Sequence, residues 1–91
     1  MFKRLEINEN VVIKPDSNGK YILVHTSTRG LHIITEEAMR LLEIATHKSY
    51  KEIVNMLKTS YSEEKLKTFL PKLKNFYEGL IERKIVRCVN E

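Results

Sequence analysis

The sequence predicts an α+β fold: a three-stranded antiparallel sheet followed by three helices, winged helix-turn-helix-like in outline. Three observations predict it. The first third of the chain holds β-branched runs, Val11-Val12-Ile13, Tyr21 to His25 and Leu31 to Ile34, separated by the turn-rich stretches "KPDSNGK" and "TSTRG". The remainder carries apolar residues at helical spacing. Three hydroxyl residues, Thr35, Ser49 and Ser62, each stand where a helix would open and are followed by acidic residues.

Val11 to Ile13 is the first predicted strand. "KPDSNGK" contains Pro15, Asp16 and an Asn18-Gly19 pair, and Asn-Gly tolerates the positive φ angles of tight hairpin turns. Tyr21 to His25 returns as the second strand, "TSTRG" turns the chain again, and Leu31 to Ile34 is the third. Together they form a meander over about residues 7–34 of one domain, 1–91.

The helices fill about residues 36–83. Thr35 caps the first, with Glu36 and Glu37 placed favourably against its dipole and Ala38, Leu41, Leu42 and Ala45 on one face. Ser49 and Glu52 frame a capping box that opens the second, through Met56 and Leu57. Ser62-Glu63-Glu64 begins the third and longest. Pro71 interrupts it, and a proline in a helix interior costs roughly 3 kcal/mol, so a kink or two pieces meeting at Leu70 is expected. "KIVRCVN" beyond Arg83 is a short apolar tail, either a wing-like strand or an extended end on the core.

Composition narrows the function. With 42% hydrophobic and 31% charged residues, the 91-residue chain is ordinary for one small globular domain. No apolar run approaches the ~20 residues of a membrane span. "MFKRLEINEN" lacks the apolar core of a secretion signal, and a single cysteine, Cys88, agrees with a reducing compartment, so a cytoplasmic location is expected. The net charge of +4 is mild, but Lys65, Lys67, Lys72 and Lys74 fall in a stretch, 65–77, that contains no acid.

The sequence shows no phosphate loop, paired-cysteine motif or nucleophile elbow, and no catalytic residue, cofactor or metal site is assigned. His25, His32 and His47 have no metal-ligand spacing, although His25 and His32 are expected side by side across the second hairpin. Cys88 is expected to be a small buried apolar residue.

Two features remain. Leu31 to Ile34 lacks the lysine, proline or glycine that usually blunts an edge strand. As the last strand of a meander it leaves one row of backbone groups free, onto which a peptide can add as a further strand. The third helix carries Leu66, Leu70, Leu73, Tyr77 and Leu80 on one stripe at ~100° per residue, with Phe69 and Phe76 on a flank beside Lys65, Lys72 and Arg83. That flank is either one wall of a groove or the margin of the core. Each net backbone hydrogen bond gives ~0.5–1.5 kcal/mol while fixing each peptide residue costs ~1–2 kcal/mol, so pairing alone barely breaks even. Two or three side chains buried against a helix wall, at ~1.5–3 kcal/mol each, would make binding micromolar or tighter.

"YILVHTSTRGLHIITEEAMRLLEIA", "SYKEIVNML" and "LIERKIV" together resemble the RiPP precursor peptide recognition element, the PqqD-like family, from about Ile7 to Val86. The resemblance implies a peptide chaperone that binds the leader segment of a ribosomally synthesised precursor peptide. It implies that the leader pairs with Leu31, His32, Ile33 and Ile34 in a cleft walled by Phe69, Leu73, Phe76 and Leu80. Lys72 and Arg83 would attract acidic leader side chains, and the peptide would be presented to a modifying enzyme such as a radical SAM protein or cyclase-type partner. The chain departs from the family in having Thr46-His47 where an Asp-Gly-like turn is usual, so His47 is expected in a left-handed conformation. The third helix is also longer than usual and contains Pro71.

The alternative is a winged-helix DNA-binding transcriptional regulator. A recognition helix meets DNA with its N-terminal residues, where this chain has Glu63 and Glu64, so a nucleic-acid partner is disfavoured. A homodimer paired through Leu31 to Ile34 would also satisfy the open strand.

Overall fold

The computed structural model describes residues 2–89, whose strands form two sheets rather than one. The element order is β1 (Arg4–Ile7), β2 (Val11–Pro15), β3 (Lys20–His25), β4 (Gly30–Thr35), α1 (Glu36–Ala45), α2 (Tyr50–Ser60), α3 (Glu63–Glu82) and β5 (Val86–Val89). The predicted meander is β2-β3-β4, antiparallel throughout, with β4 at one edge. Its first turn is closed by the Gly19 N–H donating to Asp16 O at 3.3 Å, and Gly19 sits at φ 74°, the value that calls for glycine. In the second turn the left-handed residue is Arg29, at φ 58°.

The second sheet was not anticipated. β1 pairs antiparallel with β5, bringing Glu6 opposite Arg87. "RLEI" is too short and too charged to read as a strand by itself, and its partner lies some eighty residues away. Of the two forms expected for the tail, the strand is the one adopted. Glu6 accepts from Arg87 Nε at 2.8 Å and also from Arg87 Nη2, and Arg4 Nη1 donates to it at 3.2 Å. The hydrogen bonds and charge of Arg87 hold the Glu6 carboxyl below its usual range.

The three helices begin where their caps predict. Thr35, Ser49 and Ser62 accept from the backbone N–H of Ala38, Glu52 and Lys65, and the capping box of Ser49 and Glu52 is complete in both directions. α3 is a single helix through Pro71, not two pieces meeting at Leu70.

Three local expectations are corrected. His47 is not left-handed: among the described residues only Arg29 and Lys84, besides Gly19, have positive φ. α1 ends instead on a right-handed Thr46, and the N–H groups of His47 and Lys48 both donate to Ile44 O, so no left-handed residue is required. His25 and His32 are not side by side, since the register sets His25 against Gly30 and His32 against Leu23. Cys88 is exposed, although the register sets it opposite the buried Leu5, on the face it shares with Val86; it lies nearer the end of β5.

The core lies between the two sheets and the helices. Leu5, Leu23, Leu42, Ile53, Leu73, Tyr77 and Ile85 are fully buried there. Phe2 packs edge-on against Tyr77 and Tyr50, at 5.2 and 5.9 Å between ring centres, and so pins the chain's start to α2 and α3. His25 is buried beside the second sheet's entry, with Asn8 Nδ2 3.4 Å from its Nε2 and the Thr28 N–H donating to its Nδ1 at 3.4 Å.

Candidate functional site

β4 inherits its position from the two hairpin turns, and its two faces differ. Leu31 and Ile33 are 60% and 57% exposed, while His32 and Ile34 point inward and are half-buried. On the outer face Leu31 continues the row Val12–Val24, and Ile33 the row Lys14–Ile22. Among the described residues no strand pairs with the outer edge of β4, since β1 and β5 are occupied with each other. A six-residue edge leaves about three residues with their N–H and C=O pointing away from the sheet.

That edge opens on a groove of about 400 Å³. One wall is Leu31, His32, Ile33 and Ile34; the other is the C-terminal half of α3, with Asn75, Phe76, Gly79, Leu80 and Arg83, and Ile85 closes the end. Phe76 and Leu80 provide apolar surface, Asn75 and Arg83 polar ends. α3 is held in place by its own buried stripe: Leu66, Leu73, Tyr77 and Leu80 face the core, and the Tyr77 hydroxyl donates to Leu41 O of α1 at 2.7 Å. Burial pushes the Tyr77 phenol far above its usual value, so it remains a proton donor at any ordinary pH.

Of the ten residues singled out in the sequence, the groove gathers seven: Leu31, His32, Ile33, Ile34, Phe76, Leu80 and Arg83. Leu73 does not line it; both Leu73 and Leu80 are buried, and only Leu80 borders the groove. Phe69 and Lys72 lie one to two turns earlier, in a separate hollow with Tyr61, Glu64, Lys65 and Thr68. Three lining residues were missed. Asn75 and Gly79 fall on the same helical face as Phe76 and Arg83, so spacing alone would have found them; Gly79 is in addition an unexplained glycine in a helix interior. Ile85 follows the helix and is placed by the β5 pairing.

Charge on α3 is unevenly engaged. Lys74 pairs with Glu78 at 3.8 Å, whereas Lys65, Lys67, Lys72 and Arg83 make no ion pair among the described residues. Among those residues no cluster of three or more His, Cys, Asp or Glu is arranged to hold a metal, and no helix is long and apolar enough to cross a membrane. What the arrangement offers is an unpaired strand edge, apolar and cationic side chains facing it, and room for an extended segment between them.

No protein-family model matches this chain, and no curated protein sequence does. A solved structure of TbiB1 in complex with the TbiA(beta) leader peptide is similar to it, with a TM-score of 0.69 and 20% sequence identity over 94% of this chain and 99% of that one. At that identity the likeness is one of fold, and it extends over nearly all of the winged-helix-like α+β arrangement.

Proposed function

We propose that this chain binds the leader segment of a ribosomally synthesised precursor peptide and presents it to a modifying enzyme, such as a radical SAM protein or cyclase-type partner. The leader adds to β4 as a further antiparallel or parallel strand and lays alternate side chains against Phe76 and Leu80. One observation carries the proposal: the free edge of β4 opens directly onto a groove walled by α3. A similar fold bound to a leader peptide in TbiB1 supports it.

The magnitudes favour a groove over a bare edge. About three outward β4 residues supply up to about six hydrogen bonds at ~0.5–1.5 kcal/mol, against ~1–2 kcal/mol for each peptide residue ordered. Apolar side chains in the groove supply the surplus, and Arg83 at its end favours an acidic residue on the peptide.

The test is selection of peptides from a random display library on the immobilised chain, followed by NMR titration of the ¹⁵N-labelled chain with the selected peptide. Amide shifts concentrated on 30–35 and 75–83 are expected. Selection of no peptide, together with duplex DNA binding that weakens steeply with salt, would establish the DNA-binding alternative instead. Concentration-dependent shifts of β4 without peptide would indicate a homodimer paired through that edge. Presentation is checked separately: adding the chain should raise a candidate enzyme's kcat/KM on a leader-bearing precursor and not on the leaderless core.

A further inference from the structure

The hollow that holds Phe69 and Lys72 belongs to the same flank of α3 as the groove. At ~100° per residue, Glu64, Lys65, Thr68, Phe69 and Lys72 project into the same sector as Asn75, Phe76, Gly79 and Arg83, away from the core stripe of Leu66, Leu73, Tyr77 and Leu80. The first five lie along the N-terminal half of the helix and the other four toward its C-terminal end, so the hollow and the groove share one flank of α3.

Tyr61 closes the far end of that flank. It is the first of the two residues between α2 and α3, its extended backbone fixed by its N–H donating to Leu57 O at 2.9 Å. Its ring stacks on Phe69, with 5.8 Å between centres and 14° between planes, yet remains 42% exposed. The hollow in front of the two rings measures about 400 Å³. At its rim the ammonium groups of Lys65 and Lys72, neither in an ion pair among the described residues, outnumber the one carboxylate, Glu64.

We infer that the Tyr61–Phe69 hollow is a second anchoring subsite for the same peptide, taking one apolar or aromatic side chain that has an acidic neighbour. The inference rests on the peptide-binding reading of the β4 groove and extends it. Two observations select this occupant over a separate protein: the hollow lies on the same flank of α3 as the groove, and its rim is positive. The distances suit a single chain. Phe69 and Phe76 are seven residues apart, or ~10.5 Å along a helix, a span that about three extended peptide residues cover. A peptide side chain seated on Phe76 and one in the hollow are thus about three residues apart. The sequence signature is an apolar residue about three positions from the one that packs on Phe76, flanked by Asp or Glu.

The experiment uses the full chain and a peptide selected on it from the random library. Two variants probe the hollow without disturbing β4: Tyr61→Ala, which removes an exposed ring, and the double variant Lys65→Glu with Lys72→Glu, which inverts the rim. Each is expected to weaken the peptide ~10- to 100-fold, the effect of losing one buried side chain or its charged neighbour. Tyr61→Phe is expected to bind as the parent does. A peptide shortened at the end that reaches the hollow should bind the parent chain as weakly, and should be indifferent to Tyr61→Ala. Shifts confined to 30–35 and 75–83, with both variants binding the full peptide as well as the parent, would overturn the second subsite while leaving the groove intact. Absence of any shift at β4 would overturn the groove itself. Dispersed amide spectra of each variant verify that the fold is retained.

Discussion

The hydroxyl of Tyr77 donates to the main-chain oxygen of Leu41 at 2.7 Å, joining the middle of α3 to α1. Tyr77 is wholly buried on the core side of α3, so this bond fastens the helix that walls the groove to α1, the helix that follows β4. Tyr77→Phe keeps the ring and removes only the hydroxyl. It is expected to lower stability by ~0.5–1.5 kcal/mol, read as a reduced urea midpoint with an unchanged m-value.

Gly79 places stability and binding in opposition. A glycine in a helix interior costs ~0.8–1 kcal/mol relative to alanine. A Cβ built there would stand 3.6 Å from Arg83 Nη1, an ordinary contact, so the fold has room for it. It would, however, project into the groove that Gly79 lines. Gly79→Ala is expected to raise the unfolding free energy by about 0.5–1 kcal/mol while weakening the selected peptide, with isothermal titration and urea denaturation reporting opposite signs. A variant that gains stability and binds equally well would remove Gly79 from the groove floor.

Much of this architecture is legible because its signals are local. Thr35, Ser49 and Ser62 announce the helices, and Gly19 the first hairpin, each through a bond made within four residues. The β1–β5 sheet is a contact between the two ends of the chain, and no short stretch encodes it. The placement of Ile85 follows from that sheet and was hidden with it. At the site, periodicity identified the flank of α3 but not its depth. Leu73 and Leu80 share the stripe and are both buried, yet only Leu80 borders the groove, because it lies nearer the helix end that faces β4. Phe69 and Phe76, equivalent on a helical projection, fall into two hollows because only the second faces the strand.

Two carboxylates give the fold an acid limit. Glu6 is held below the usual range first by its hydrogen bond from Arg87, and Glu52 first by the backbone N–H of Ser49. In both the folded value is lower than the unfolded value of about 4.3, so the unfolded chain binds more protons as the solution is acidified. Their contribution is present above about pH 4.3 and is lost as pH falls through the folded values. Melting temperature is expected to drop between about pH 5 and about pH 3. Glu6→Gln and Glu52→Gln should each flatten that slope and lower the plateau at neutral pH. High salt should shrink the Glu6 effect more than that of Glu52, whose partner is an uncharged backbone amide.

Hydrogen exchange tests the open edge of β4 without any mutation. In an antiparallel ladder alternate residues point their N–H groups toward the neighbouring strand and away from it. With β3 on one side and nothing described on the other, the amides of Leu31, Ile33 and Thr35 should exchange at rates unlike those of His32 and Ile34. One set is bonded to β3 and protected; the other meets solvent and exchanges quickly. A peptide added as a strand should slow the fast set selectively, to the extent of its own occupancy, and leave the slow set unchanged. A ligand that merely lay in the groove against Phe76 and Leu80 would shift side-chain resonances there without producing this alternation. Uniform protection of all five amides in the free chain, at every protein concentration, would mean that the edge is already covered.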